Sequence, residues 1–167
     1  IARLLKDKGV EEYVAAAKLL KEKYPETIFS VAGYLDSNPS SISQQQLNSW
    51  IESGTINYLG RLADVRPAIE AAHVFVLPSY REGTPRTTLE SMAMGRAIIT
   101  TDAPGCRQTV EEGKNGFLVP VKSVQNLASA MEKFITTPSL IEQMGQASRK
   151  IAETKYDVEI VNQFMFD

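Results

Sequence analysis

Apolar, β-branched runs alternate along this chain with stretches of helical spacing, and the alternation holds almost to the end. Such alternation builds strand and helix units into a parallel sheet. Over 10–24 (VEEYVAAAKLLKEKY), Val10, Tyr13, Val14, Ala17, Leu20 and Tyr24 share one helical face, and Pro25 stops the helix. TIFSVAG (27–33) reads as a buried strand ending in Gly33. The polar, turn-rich stretch 35–46 carries an Asn-Pro breaker, and 45–54 reads as a helix closed by Gly54. INYLG (56–60) is a short strand, ADVRPAIEAA (63–72) a short helix with Asp64 as its N-cap, and HVFVLPS (73–79) a continuous apolar strand ending at Pro78.

In PSYREGTPRTTLESMAMG (78–95), Glu82 sits among turn formers while Glu90 falls within a helical run, so one acid belongs to a loop and the other to a helix. A strand and tight loop follow at 96–105, then a short element ended by EEGKNG (111–116), a strand at 117–121, and helices at 123–137, 139–154 and 156–166. There are six strand-like runs, counting a truncated one at the start. They predict an α/β fold with a doubly wound, Rossmann-like parallel sheet. Ligands of such sheets lie at the carboxyl ends of the strands, which directs attention to residues 3–9, 33–38, 60–64, 78–90 and 102–106.

A length of 167 residues with 43% hydrophobic and 23% charged side chains suffices for one domain with a real core. The net charge of −2 argues against a broad nucleic-acid-binding face. Cys106 is the single cysteine, so neither an intrachain disulfide nor a cysteine metal cluster can form. One thiol fits a reducing compartment, and no apolar run reaches the ~18 residues of a membrane span. The start shows no signal-peptide pattern. The chain opens on IARLLKDKG in mid-pattern and without Met, which predicts a piece of a longer protein whose other part carries half of the active site.

Arg3 and Lys8 lie in a loop that closes on Gly9 before the helix from Val10, so two cations and a helix N-terminus can face one anion. Spacing alone favours two solvated charges. The 82–87 loop adds a second anion-binding helix end: Gly83 permits close backbone approach, and the amides of 87–90 are expected to lack partners within the helix. A capping role for Glu90 and a solvated loop charge for Glu82 are the bland alternatives. Against them stands the combination of a diphosphate on the amides and a carboxylate on either side to accept from sugar hydroxyls.

Four motifs, RLLKDKG, YLGRLADVRPAIEAAHVFVLPS, REGTPRTTLESMAMG and ITTDAPGCRQTVEEGKNGFLVP, together resemble the donor-binding C-terminal domain of glycosyltransferase family 4. The likeness covers nearly the whole chain, and Glu82 to Glu90 matches the family's Glu-x7-Glu element. The resemblance implies a retaining transferase with the two-Rossmann-domain GT-B architecture, its donor held between domains and no metal or other cofactor required. It implies that residues 1–154 form the nucleotide-sugar-binding domain and that 155–167 form a helix packing on the absent N-terminal domain. By the same match Arg3 and Lys8 neutralise the diphosphate, and Glu82 contacts the transferred sugar with Gly83, Thr84 and Pro85 presenting backbone near it. Thr88 and Leu89 supply amides to the phosphate, Glu90 holds the ribose, and the main chain at Arg61 and Leu62 reads the base.

The wording PSYREGTPR and DAPGCR is most similar to bacterial members that build surface polysaccharide on glycan or lipid-linked acceptors, which implies a UDP-sugar donor and a cytoplasmic enzyme, peripheral at the inner face of the plasma membrane through its absent half. The competing function is a noncatalytic sugar-nucleotide-binding or partner-binding module. A dinucleotide oxidoreductase would need a G-x-G-x-x-G turn, and the sequence has none. His73 and Gln108 depart from the family's usual Asp and Glu and are read as structural positions. Cys106 is read as inert, since the chain is expected to offer it no histidine partner. Met92, Ala93 and Met94 are read as packing, and Phe164, Met165 and Phe166 as poorly covered apolar residues.

Overall fold

The computed structural model describes residues 1–156. Within them run α1 (Val10–Lys23), β1 (Ser30–Ala32), α2 (Gln44–Glu52), β2 (Asn57–Gly60), α3 (Arg66–Ala71), β3 (Val74–Leu77), α4 (Arg86–Ala93), β4 (Ala97–Thr101), β5 (Gly116–Val119), α5 (Val124–Thr136) and α6 (Ser139–Lys155). Every strand pairing is parallel: β1 with β2, and β3 with β4 with β5.

The truncated run at the start is an extended segment lying along β1, with the Ala2 amide on Ala32 O at 3.1 Å and the Leu4 amide on Tyr34 O at 3.0 Å. Ile1 at its start packs on the cluster of Phe75 and Leu77, and the turn that follows it touches Pro78. The hydrogen-bonded sheets are two, β1–β2 and β3–β4–β5, and the first segment lies where they meet, with the reversal of winding between it and β3. That is the Rossmann-like arrangement the alternation predicts, and its switch point is where ligands bind in such sheets.

The pleat explains the packing. Val74 and Val76 of β3, with Ile99 of β4, face α1 and α5, while Phe75, Leu77 and Ile98 face α4 and α6. Met92 is fully buried in the second layer, as expected, whereas Met94 is the half-buried C-cap of α4. A third cluster joins Leu4, Val10, Val31, Leu47 and Ile56 beneath α1 and α2.

Two local details differ from the sequence expectation, and one segment goes undescribed. The strand placed at 27–33 shrinks to Ser30–Ala32, because Lys21 Nζ takes the carbonyls of Pro25 and Thr27 at 3.1 and 2.8 Å and holds that stretch as a turn. Asp64 sits one residue before the N-cap of α3, where it accepts from the Arg66 amide at 3.0 Å and forks onto the Arg66 guanidinium. The segment expected as a helix at 156–166, with its apolar Phe164, Met165 and Phe166, lies outside the described residues.

Candidate functional site

Two turns meet at the switch point. The first is a single 3-10 turn, Lys6–Lys8, closed by Gly9 with a left-handed backbone (φ 74°) that also caps α1. A Cβ on Gly9 would stand 2.0 Å from Pro78 O, so only glycine lets this turn press against the end of β3. Tyr80 ties the two turns together: its amide donates to Asp7 O at 2.9 Å and its hydroxyl to Glu12 in the first turn of α1. Burial and that carboxylate push the Tyr80 phenol well above its ordinary range.

Lys8 and Glu82 meet across this junction. Lys8 Nζ donates to Glu82 Oε1 at 2.9 Å, with 20% and 13% of the two side chains exposed. The hydroxyl of Ser79, a residue with 0% exposure, donates to the same oxygen at 2.7 Å. The Glu82 backbone is held from β4's side, its amide on Pro104 O at 3.0 Å. Gly105 (φ 80°) approaches so closely that a Cβ there would lie 1.8 Å from Glu82 O. Both donors go to Oε1, and Glu82 Oε2 accepts no hydrogen bond from the described residues.

The second turn leads into α4, whose N-cap, Pro85, has no side chain to offer. The Leu89 amide donates to Pro85 O at 3.1 Å, so of the first-turn amides expected to be open, that of Leu89 is taken. The amides of Thr87 and Thr88 have no acceptor among the described residues. They carry the positive end of the α4 dipole and lie between Glu82 and Glu90 in sequence. Gly83 and Thr84 are exposed, Pro85 is buried, and a Cβ on Gly83 would meet nothing within 4 Å. The fold itself therefore does not need a glycine at 83.

Glu90 is the fifth residue of α4, beyond the first turn where capping operates, and only 4% exposed. Its Oε1 lies 3.6 Å from Arg86 Nε, and its buried Oε2 has no partner among the described residues. Burial raises its carboxyl above the usual range; Arg86 opposes the rise and Asp64 adds to it. A buried carboxylate oxygen without a donor is costly to the free protein and is a strong acceptor for a hydroxyl that arrives.

The remaining expected residues fall less tightly together. Arg3 pairs with Asp36 on the loop after β1, with Nη1 3.3 Å from Asp36 Oδ2 and 49% of its side chain exposed. Each of the two expected cations thus already holds a carboxylate of its own, Arg3 that of Asp36 and Lys8 that of Glu82. Arg61 is exposed with its guanidinium 4.4 Å above the Tyr34 ring, and half-buried Leu62 follows it on the loop after β2. His73 is exposed at the start of β3, the end of the sheet opposite the site, and Cys106 is 1% exposed. Among the described residues no three His, Cys, Asp or Glu side chains group to hold a metal ion.

Sequence reasoning missed Ser79, Tyr80 and Glu12. Ser79 had one legible signal, a hydroxyl at the carboxyl end of an apolar strand three residues before Glu82. The Tyr80–Glu12 contact spans 68 residues and has no local signature.

The strand order and its switch point define a Rossmann-like α/β domain. Residues 1–151 match the family Glycosyl transferases group 1, and the chain belongs to that family. It is 33% identical over 163 residues to the N,N'-diacetylbacillosaminyl-diphospho-undecaprenol alpha-1,3-N-acetylgalactosaminyltransferase of Campylobacter jejuni, covering 98% of this chain and 41% of that enzyme. The C-terminal domain of the glycosyl transferase group 1 protein LpcC from Francisella tularensis superposes with a TM-score of 0.83 at 28% identity, over 93% of this chain and 83% of that one. Alr3699/HepE of Anabaena in complex with UDP gives 0.81 at 25% identity, over 96% of this chain and 44% of that one. This chain spans about two fifths of the length of the curated relatives it matches, 41% of the Campylobacter enzyme and 42% of the capsular polysaccharide glycosyltransferase CapM of Staphylococcus aureus.

Proposed function

We propose that this chain is the donor-binding, C-terminal half of a retaining, family 4 glycosyltransferase with two Rossmann-like domains. Its nucleotide-sugar-binding unit runs through the end of α6 at Lys155. The observation that carries this proposal is the buried, unpartnered Oε2 of Glu90 on the same helix as the open Thr87 and Thr88 amides, with the free Oε2 of Glu82 on the turn that leads into that helix. A donor fits that sequence of groups: ribose hydroxyls on Glu90, diphosphate on the amides, and the transferred sugar at Glu82.

The donor is a UDP-sugar, in keeping with the UDP complex of the Anabaena relative. The acceptor is a glycan or lipid-linked sugar, in keeping with the undecaprenol-linked substrate in the Campylobacter enzyme's name. No metal serves the diphosphate. Lys8 has three N–H donors and spends one on Glu82, so two remain for phosphate oxygens, and Arg3 swings from Asp36 to add a second cation. Charge growing on the leaving UDP would meet these cations and the α4 dipole, already in place before the bond breaks. The enzyme works on the cytoplasmic face of the membrane, where its other half holds it.

Calorimetric titration of the full-length protein with UDP and GDP, in chelator, tests the proposal. UDP is expected to bind at micromolar to low millimolar concentration without divalent metal. Absence of binding by either nucleotide at millimolar concentration would overturn it.

A further inference from the structure

We propose that Ser79 is a positioning residue for sugar transfer: it keeps the Glu82 carboxylate in place when Lys8 turns to the diphosphate. Its catalytic consequence rests on the donor function proposed above, but the positioning itself does not.

Glu82 Oε1 takes two donors of different kinds, the Lys8 ammonium at 2.9 Å and the Ser79 hydroxyl at 2.7 Å. The ammonium is charged and partly exposed, so an arriving diphosphate competes for it. If Lys8 alone held Glu82, donor binding would release the carboxylate when the sugar needs it. The Ser79 hydroxyl is neutral and fully buried, so neither phosphate nor water competes for it, and Glu82 is its one acceptor among the described residues. Its frame is fixed from the centre of the sheet, where Ser79 O accepts from the buried Thr101 hydroxyl at 2.5 Å. With the Glu82 backbone clamped by Pro104 and Gly105, the hydroxyl settles the remaining side-chain freedom. Ser79 is the constant contact and Lys8 the variable one.

Crystal structures of the Lys8→Met and Lys8→Met/Ser79→Ala proteins without ligand test the placement. Glu82 is expected to stay hydrogen-bonded to Ser79 in the single variant and to leave its position in the double. Departure of Glu82 in Lys8→Met, or its retention in the double variant, would overturn the proposal. In the full-length enzyme Ser79→Ala is expected to lower kcat for transfer about 10- to 100-fold. Donor KM and the UDP Kd should stay within about twofold. Thr100→Val removes a buried hydroxyl of the same kind, on Leu77 O at 2.8 Å, and is expected to leave kcat unchanged. A fall in UDP affinity as large as the fall in kcat would make Ser79 a general structural element and contradict the proposal. If the wild-type protein fails to bind UDP, the donor function falls while the crystallographic comparison still decides the placement of Glu82.

Discussion

Lys8 and Glu82, 74 residues apart in sequence, share a 2.9 Å ion pair across the reversal of strand winding. The pair joins the turn after the first segment to the turn after β3, and both side chains keep some contact with solvent, so a polar ligand can reach them. An ion pair placed there is mostly buried, so removing one partner leaves the other largely desolvated. Lys8→Met is therefore expected to lower thermal stability, with the Ser79 hydroxyl left as the donor to Glu82 Oε1. In calorimetry it should weaken UDP binding about 10- to 100-fold, the order of 1.5–3 kcal/mol for a hydrogen bond to a charged group.

Glu90 makes the opposite trade. Its carboxyl titrates above the ordinary range because it is buried, so the unfolded chain releases this proton at lower pH than the folded one. Stability is lost as pH rises from the unfolded value, about 4.3, to the raised folded value, and the loss is constant beyond it. Glu90→Gln removes that cost. Its melting temperature is expected to exceed the wild type's at pH 7, with the difference closing below about pH 4.

The same titration governs ligand binding. Hydroxyls that donate to Glu90 favour its ionised form, so UDP affinity measured across pH is expected to rise through the raised Glu90 value and level off above it. In Glu90→Gln this pH dependence should vanish together with most of the affinity.

Glycines 83 and 105 separate space from strain. At Gly105 a Cβ would strike Glu82 O at 1.8 Å with φ at 80°, and Gly105→Ala is expected to destabilise the protein by about 1–3 kcal/mol in denaturant unfolding. At Gly83 a Cβ meets nothing, so Gly83→Ala should leave stability within about 0.5 kcal/mol. Any loss of UDP-sugar affinity in that variant then reports a ligand passing close to the backbone at 83, which isothermal titration measures directly.

Much of this was legible in the chain. Val74, Phe75, Val76 and Leu77 announce a strand buried on both faces, and the Glu82–Glu90 spacing places one acid on a turn and the other on a helix. What could not be read is what depends on partners far away in sequence. The Arg3–Asp36 contact spans 33 residues, and the Leu89 amide looked open until Pro85 O closed on it. Ser79 read as the end of a strand, and only the fold brings its hydroxyl back onto Glu82. Gly83 and Gly105 look alike in sequence, yet only the tertiary approach of the 102–106 loop makes the second obligatory.

The central claim is that Glu90, the Thr87 and Thr88 amides, and the Lys8–Glu82 pair line one donor site in that order. A crystal structure of the full-length protein with UDP tests it most directly. The expected result has ribose hydroxyls within hydrogen-bond distance of Glu90 Oε2, a diphosphate oxygen on the Thr87 or Thr88 amide, and Lys8 Nζ on the diphosphate. UDP bound elsewhere, with Glu90 Oε2 still unpartnered and Lys8 engaged only with Glu82, would contradict it.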